Sequence, residues 1–122
     1  GVSRNYAGFF QKSENGIVRN GTGSEATFTS PQGITSDRSG YVYVVDPGTM
    51  VIRQIAPSDA DPNVGTVTTL KTNGVDISLG QYRVIAPPHI VTMRITTGFD
   101  GALYTLDQTT GEIKRIRAVA PR

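Results

Sequence analysis

The stretch Gly33-Ile34-Thr35-Ser36-Asp37-Arg38-Ser39-Gly40-Tyr41-Val42-Tyr43-Val44-Val45-Asp46 returns later in the chain as Arg94-Ile95-Thr96-Thr97-Gly98-Phe99-Asp100-Gly101-Ala102-Leu103-Tyr104-Thr105-Leu106-Asp107. The two copies stand at a fixed offset of about 61 residues. Ile34 meets Ile95, Gly40 meets Gly101, Tyr43 meets Tyr104 and Asp46 meets Asp107. The match continues as Ile52-Arg53-Gln54-Ile55 against Ile113-Lys114-Arg115-Ile116. A repeat with this content is a supersecondary unit, and it decides the fold more than any single residue does.

Each copy reads as a run of short strands. In the first, 33–36 is strand one, Arg38-Ser39-Gly40 turns, and 41–45 is strand two, rich in β-branched and aromatic residues. Asp46-Pro47-Gly48-Thr49 is a second turn, 51–55 is strand three, 57–62 a loop and 66–70 strand four. The second copy predicts strands over 90–97, 102–106 and 112–117, with Thr109-Thr110-Gly111 as a hairpin. On strand two, Tyr41, Tyr43 and Val45 share one face while Val42 and Val44 share the other, so both faces are apolar and both are expected to be covered. No segment carries a helical period, and the expected class is all-β.

Composition sets outer limits. A chain of 122 residues with 37% hydrophobic and 18% charged residues suits one small domain with a core. Fourteen Gly and seven Pro cut it into short pieces. A net charge of +2 is too weak to argue for nucleic acid or an acidic membrane. With no Cys there is neither a disulfide framework nor a thiolate metal site. No apolar run approaches the roughly 18 residues of a membrane span, and no signal peptide is visible. The first residue is Gly1 and not Met, which leads us to expect a processed product, a piece made for expression, or a segment of something longer.

The residues resemble the NHL-repeat β-propeller family. Pro31-Gln32-Gly33-Ile34, Asp37-Arg38-Ser39-Gly40-Tyr41-Val42-Tyr43-Val44-Val45-Asp46, Ile52-Arg53-Gln54-Ile55 and Gly65-Thr66-Val67-Thr68-Thr69-Leu70 follow the family pattern in order. Upstream, Tyr6-Ala7-Gly8 looks like the Leu-Ala-Gly end of a preceding strand. Asn20-Gly21-Thr22-Gly23-Ser24-Glu25-Ala26-Thr27-Phe28 looks like the connection seen in many secreted or cell-surface members. The second copy is looser, with Gly98 where the Asp of the turn is expected and Arg94 where Gly is expected. The resemblance implies a partial β-propeller of about two four-stranded antiparallel blades. Its organisation would be a lone fourth strand (1–8), a connection (9–32), blade one (33–70), an insertion (71–89) and a three-stranded blade two (90–117). A propeller has about four to eight blades, so about two cannot close a ring. The chain is expected to depend on a protein partner or on copies of itself to complete the propeller.

Candidate chemistry divides into framework and function. Asp46 and Asp107 end strand two in each copy; they could form a carboxylate ring for a cation, but recurrence favours turn capping. Tyr43 and Tyr104 also recur, and mid-strand recurrence points to packing with the hydroxyl paired. Gly40 and Gly101 complete the structural repeat positions. Arg53, Lys114, Arg115 and Arg117 form a basic run on strand three, read as a solvated strand face with local ion pairing or, as the competing view, an RNA contact. His89 is the one His, placed after Pro87-Pro88, and a zinc site or triad would need ligands the chain lacks. Asp59-Ala60-Asp61 has part of a calcium-loop spacing and reads as a polar turn. Asn20-Gly21-Thr22 is a sequon in a Gly-rich surface loop, making Asn20 the one acceptor for an N-linked sugar.

The expected function is a non-catalytic structural or protein-interaction module in an extracellular or cell-surface setting, with no cofactor, no metal and no catalytic residue of its own. The competing readings are part of a propeller enzyme, lyase or lactonase-like, in which missing blades converge on His89, and an RNA-binding module.

Overall fold

The computed structural model describes residues 3–8, 19–29, 31–46, 51–72, 75–76, 93–108 and 110–117. These are all-β, with one 3-10 turn at Gly23–Glu25. The strands are β1 (Gly21–Thr22), β2 (Ile34–Ser36), β3 (Val42–Asp46), β4 (Val51–Pro57), β5 (Gly65–Thr69), β6 (Lys71–Thr72), β7 (Val75–Asp76), β8 (Met93–Thr97), β9 (Leu103–Asp107) and β10 (Glu112–Ile116). Sheet one is antiparallel in the order β1-β5-β4-β3-β2; sheet two is antiparallel in the order β10-β9-β8. β6 and β7 pair with each other inside the segment read as an insertion, and the rest of that segment, His89 included, lies outside the described residues.

The sequence repeat survives as a repeat of register. In sheet one Val42 lies opposite Ile55, Tyr43 opposite Gln54 and Asp46 opposite Val51. In sheet two Leu103 lies opposite Ile116, Tyr104 opposite Arg115 and Asp107 opposite Glu112. The β2–β3 and β8–β9 pairs agree: Ile34 faces Val44 as Ile95 faces Thr105. A one-residue slip would move every side chain to the other face, so conserved register means that each position keeps its face in both sheets.

Those faces meet in one core. Tyr43, Val45, Ile52 and Leu70 of sheet one bury Met93, Ile95 and Leu103 of sheet two, with Tyr41 and Ile116 packed at the margin. Each fully buried apolar side chain here stabilises by roughly 1.5–3 kcal/mol relative to exposure. Two polar contacts lock the sheets in place. The Met93 N–H donates to Gln32 Oε1 at 2.8 Å, and the hydroxyls of Thr35 and Thr97 lie 3.0 Å apart. β2 and β8, each an edge strand of its sheet, are therefore neighbours.

The opposite face of sheet one is covered differently. Ala26, Val44, Ile55 and Val67 form a second core with Tyr6, Ala7, Phe28 and Val42. Residues 3–8 form no strand. Gly65 N–H donates to Tyr6 O at 2.9 Å and Gly8 N–H to Gly23 O at 3.0 Å, which straps the segment onto its own sheet. Sheet one thus has a neighbouring sheet on one side and a strap on the other. A further difference is β1, which runs as a fifth strand along β5 where the sequence reads as loop. Two residues are too few for an alternation to show in sequence.

The repeat places Ile52 and Ile113 at matching positions with opposite exposure, 0% against 71%. Ile52→Ala is expected to lower stability by about 2–5 kcal/mol, and Ile113→Ala by about 0.5 kcal/mol or less. Urea unfolding in dilute solution checks this, and equal losses would contradict the packing.

Candidate functional site

In both sheets the turn before the second strand of the repeat, β3 or β9, is built around a tyrosine hydroxyl and a carboxylate. In the first, Asp37 Oδ1 accepts from the Ser39 and Tyr41 N–H groups at 2.9 and 3.1 Å, while Tyr43 O–H donates to Asp37 Oδ2 at 3.0 Å. Gln54 Nε2 donates to the Tyr43 hydroxyl at 3.2 Å. In the second, Ala102 N–H donates to Asp100 Oδ1 at 3.1 Å and Tyr104 O–H to Asp100 Oδ2 at 2.8 Å. Arg115, the partner of Gln54 in the repeat, donates to the Tyr104 hydroxyl at 3.2 Å and to Asp100 Oδ2 at 2.9 Å. The backbone turns match too: Gly40 N–H donates to Asp37 O and Gly101 N–H to Gly98 O. Gly40 and Gly101 hold φ of +90° and +82°, the left-handed region that favours glycine.

The carboxylate has moved two residues along the turn, and Gly98 makes room for it. A Cβ at Gly98 would lie 2.5 Å from the Tyr104 ring and 2.8 Å from Asp100 Oδ1. The Asp missing at Gly98 is therefore replaced in function by Asp100. The Ala102 N–H first, then Arg115 and the Tyr104 hydroxyl, hold the Asp100 carboxyl well below the usual carboxylate range. A depressed pKa adds stability above about pH 4 and loses it as pH falls through the depressed value. Solvent at this exposed pair keeps the effect small.

Arg53 departs most from the sequence reading. It is fully buried, not part of a solvated face. Its Nη1 donates to Thr27 O at 2.7 Å, and its Nη2 donates to Arg19 O and to Asn20 Oδ1, each at 2.9 Å. The guanidinium carbon sits 4.9 Å from the centre of the Phe28 ring. Burial pushes its pKa down, and the negative charge of Asp46 opposes that shift. Asp46 is itself buried and accepts the Thr29 N–H at 2.8 Å. Asp46 therefore holds the incoming connection, whereas Asp107 bonds the Thr110 N–H of its own turn at 3.3 Å. Nothing in the sequence distinguishes Arg53 from its repeat partner Lys114, which is half-buried and lies 3.6 Å from Glu112.

The remaining candidates are scattered. Asn20 is an exposed residue whose amide oxygen is engaged by Arg53 and by the Thr69 hydroxyl, at 2.9 and 3.3 Å. Thr22 of the sequon shares a hydroxyl contact of 3.0 Å with Thr66. Asp61 accepts the Asn63 N–H at 3.0 Å inside its own turn, and Asp59 and Arg117 are exposed. Among the described residues no group of three or more His, Asp or Glu side chains could hold a metal ion. One concave feature is an apolar groove of about 380 Å³ on the strapped side of sheet one, lined by Tyr6, Phe28, Ile34, Val42, Val44 and Ile55 among others; another, of about 470 Å³, lies where the β2–β3 and β8–β9 turns meet and is lined by Ser36, Asp37, Arg38, Thr97, Gly98 and Phe99.

No family model matches the chain. It is similar to Teneurin-1 of Mus musculus, Homo sapiens and Gallus gallus, with 32%, 34% and 33% identity over 116 residues. The alignments cover 84% of this chain but the chain spans only 4% of the length of these relatives.

Two substitution sets test this geometry. Gly98→Asp alone should destabilise by more than about 1 kcal/mol through overpacking. The double variant Gly98→Asp with Asp100→Ser, which copies the Asp37–Ser39 arrangement, should recover most of that loss; additive losses would contradict the exchange. Arg53→Met leaves Thr27 O, Arg19 O and Asp46 without their cation, and should cost about 3 kcal/mol, against about 0.5 or less for Lys114→Met. Denaturant unfolding of both reads the difference.

Proposed function

We propose that this chain is a non-catalytic interaction module, a two-sheet segment of an NHL-type β-propeller in an extracellular or cell-surface protein. The observation that carries the reading is the use of the repeat-position side chains. The carboxylates of Asp37, Asp46, Asp100 and Asp107 and the hydroxyls of Tyr43 and Tyr104 are spent on turns and connections, while apolar sheet surface stays accessible. The secreted-type connection over Asn20–Phe28 and the likeness to Teneurin-1 support the cell-surface setting. In that setting Asn20 is the proposed site of an N-linked sugar.

Two competing readings have less behind them. For RNA, Arg53 is buried, Arg115 is paired with Asp100 and Lys114 with Glu112, which leaves few cations of the basic run to meet phosphates. For a propeller enzyme, the framework carboxylates would have to leave their hydrogen bonds to serve a reacting group.

The test is binding to intact cells by the folded chain displayed as a labelled multimer. Saturable binding, competed by unlabelled chain and unchanged by chelator or by His89→Ala, is expected. Absence of saturable binding on every cell type tried, or loss with chelator, would contradict the reading.

A further inference from the structure

Among the described residues the large apolar side chains left exposed are Ile34, Ile113 and Phe99. Ile34 and Ile113 stand in strands, on faces that a further sheet would cover. Phe99 does not: it lies in the β8–β9 turn, fully exposed, where sheet packing gives it no cover. It borders the cavity of about 470 Å³ between this turn and the β2–β3 turn. Its counterpart in the first copy is Arg38, which lines the same cavity from the other turn. Matching turn positions of the two copies thus bring an aromatic ring and a guanidinium to one site. The size suits a small ligand.

Most other groups around the cavity are already committed. The Asp37 carboxylate accepts from the Ser39 and Tyr41 N–H groups and from the Tyr43 hydroxyl. The Thr97 hydroxyl meets that of Thr35. The turn backbone is paired within each turn: Asp37 N–H to Tyr41 O, Gly40 N–H to Asp37 O, Gly98 N–H to Ala102 O and Gly101 N–H to Gly98 O. Arg38 is exposed and makes no hydrogen bond or ion pair with the described residues. The exposed Ser36 adds a hydroxyl. An extended peptide is held chiefly through main-chain hydrogen bonds, and these turns have spent theirs on themselves. A simple inorganic anion would use Arg38 and leave Phe99 in water. The chemistry that uses both is a carboxylate on a ring with one apolar face and a polar rim, because Phe99 covers one face and leaves the rest in water.

We infer that this cavity binds a carboxylate-bearing sugar, its carboxylate on the Arg38 guanidinium, the C–H face of its ring on Phe99 and a ring hydroxyl at Ser36. The turns permit such a site because neither Arg38 nor Phe99 takes part in the hydrogen bonds that hold them. The carboxylate that organises each turn stands before the tip in the first copy, at Asp37, and after it in the second, at Asp100. Each tip residue can therefore be chosen for what it meets outside. The site stands apart from the sheet faces and adds a ligand to the interaction module.

Amide chemical-shift titration of the folded chain tests this, with the methyl glycoside of sialic acid and methyl glucuronide as probes and methyl galactoside as the neutral control. Saturable shifts in the two turns are expected with at least one acidic sugar, and which one responds identifies the acid. Methyl galactoside should bind about tenfold more weakly or not at all. Arg38→Gln should weaken acidic-sugar binding about tenfold and Phe99→Ala about fivefold. Phe99→Trp should keep it and, as the one Trp of the chain, report it by fluorescence. Arg38 and Phe99 are exposed, so unfolding midpoints should not change. No saturable shift with either acidic sugar, equal binding of the neutral one, affinity indifferent to both substitutions, or tighter binding of an acetylated Asp-containing peptide would each overturn the proposal. Cell binding unchanged by Arg38→Gln and Phe99→Ala, with no sugar bound, would sink this site and leave the module; sugar binding without cell binding would do the reverse.

Discussion

A buried arginine sets the geometry of sheet one. Arg53 lies in the middle of β4, where a charge has no access to water, and a guanidinium in such a place must find acceptors. It finds them on the connection that precedes the sheet: Arg19 O, Asn20 Oδ1 and Thr27 O. That requirement pulls residues 19–28 across the sheet, lays Gly21–Thr22 along β5 and seats Phe28 on the guanidinium. Phe28 and Ala26 then close the second core with Tyr6 and Ala7. Asp46, buried in the neighbouring strand, offsets the charge and ties Thr29 to the same framework. Strap, fifth strand and groove all follow from where this cation is placed.

The two sheets show what a repeat conserves when its residues drift. The tyrosine hydroxyl needs an acceptor at the turn, and Asp37 supplies it in one copy and Asp100 in the other. The second donor to that hydroxyl changes from Gln54 to Arg115. Contact geometry is kept while the residue that provides it moves, and Gly98 records the move as vacated volume. The same logic holds for burial: matching isoleucines are core in one sheet and exposed in the other because only one has a sheet packed on it.

Much of this was legible in sequence. Alternating β-branched and aromatic residues marked β3 and β9, glycines marked the turns at 40 and 101, and the offset between copies carried the register. Apolar residues on both faces of β3 announced cover on both sides, though not that a strap provides it on one. The burial of Arg53 is not legible in sequence because a buried cation leaves no local pattern: its acceptors are backbone carbonyls and one amide, about 25 to 35 residues away in sequence, and any residue type would offer the carbonyls. The exchange of Asp37 for Asp100 was hidden for a related reason, since alignment compares positions and the turn conserves a place in space.

The placement of Arg53 can be measured directly through its guanidinium protons. Nitrogen-15 NMR should show separate, slowly exchanging Nη signals for Arg53, as expected for a group held by three acceptors and closed off from water. The exposed Arg94 should show averaged, fast-exchanging signals. If Arg53 gave averaged signals like those of Arg94, the connection would not be anchored on it, and the account of sheet one would fail.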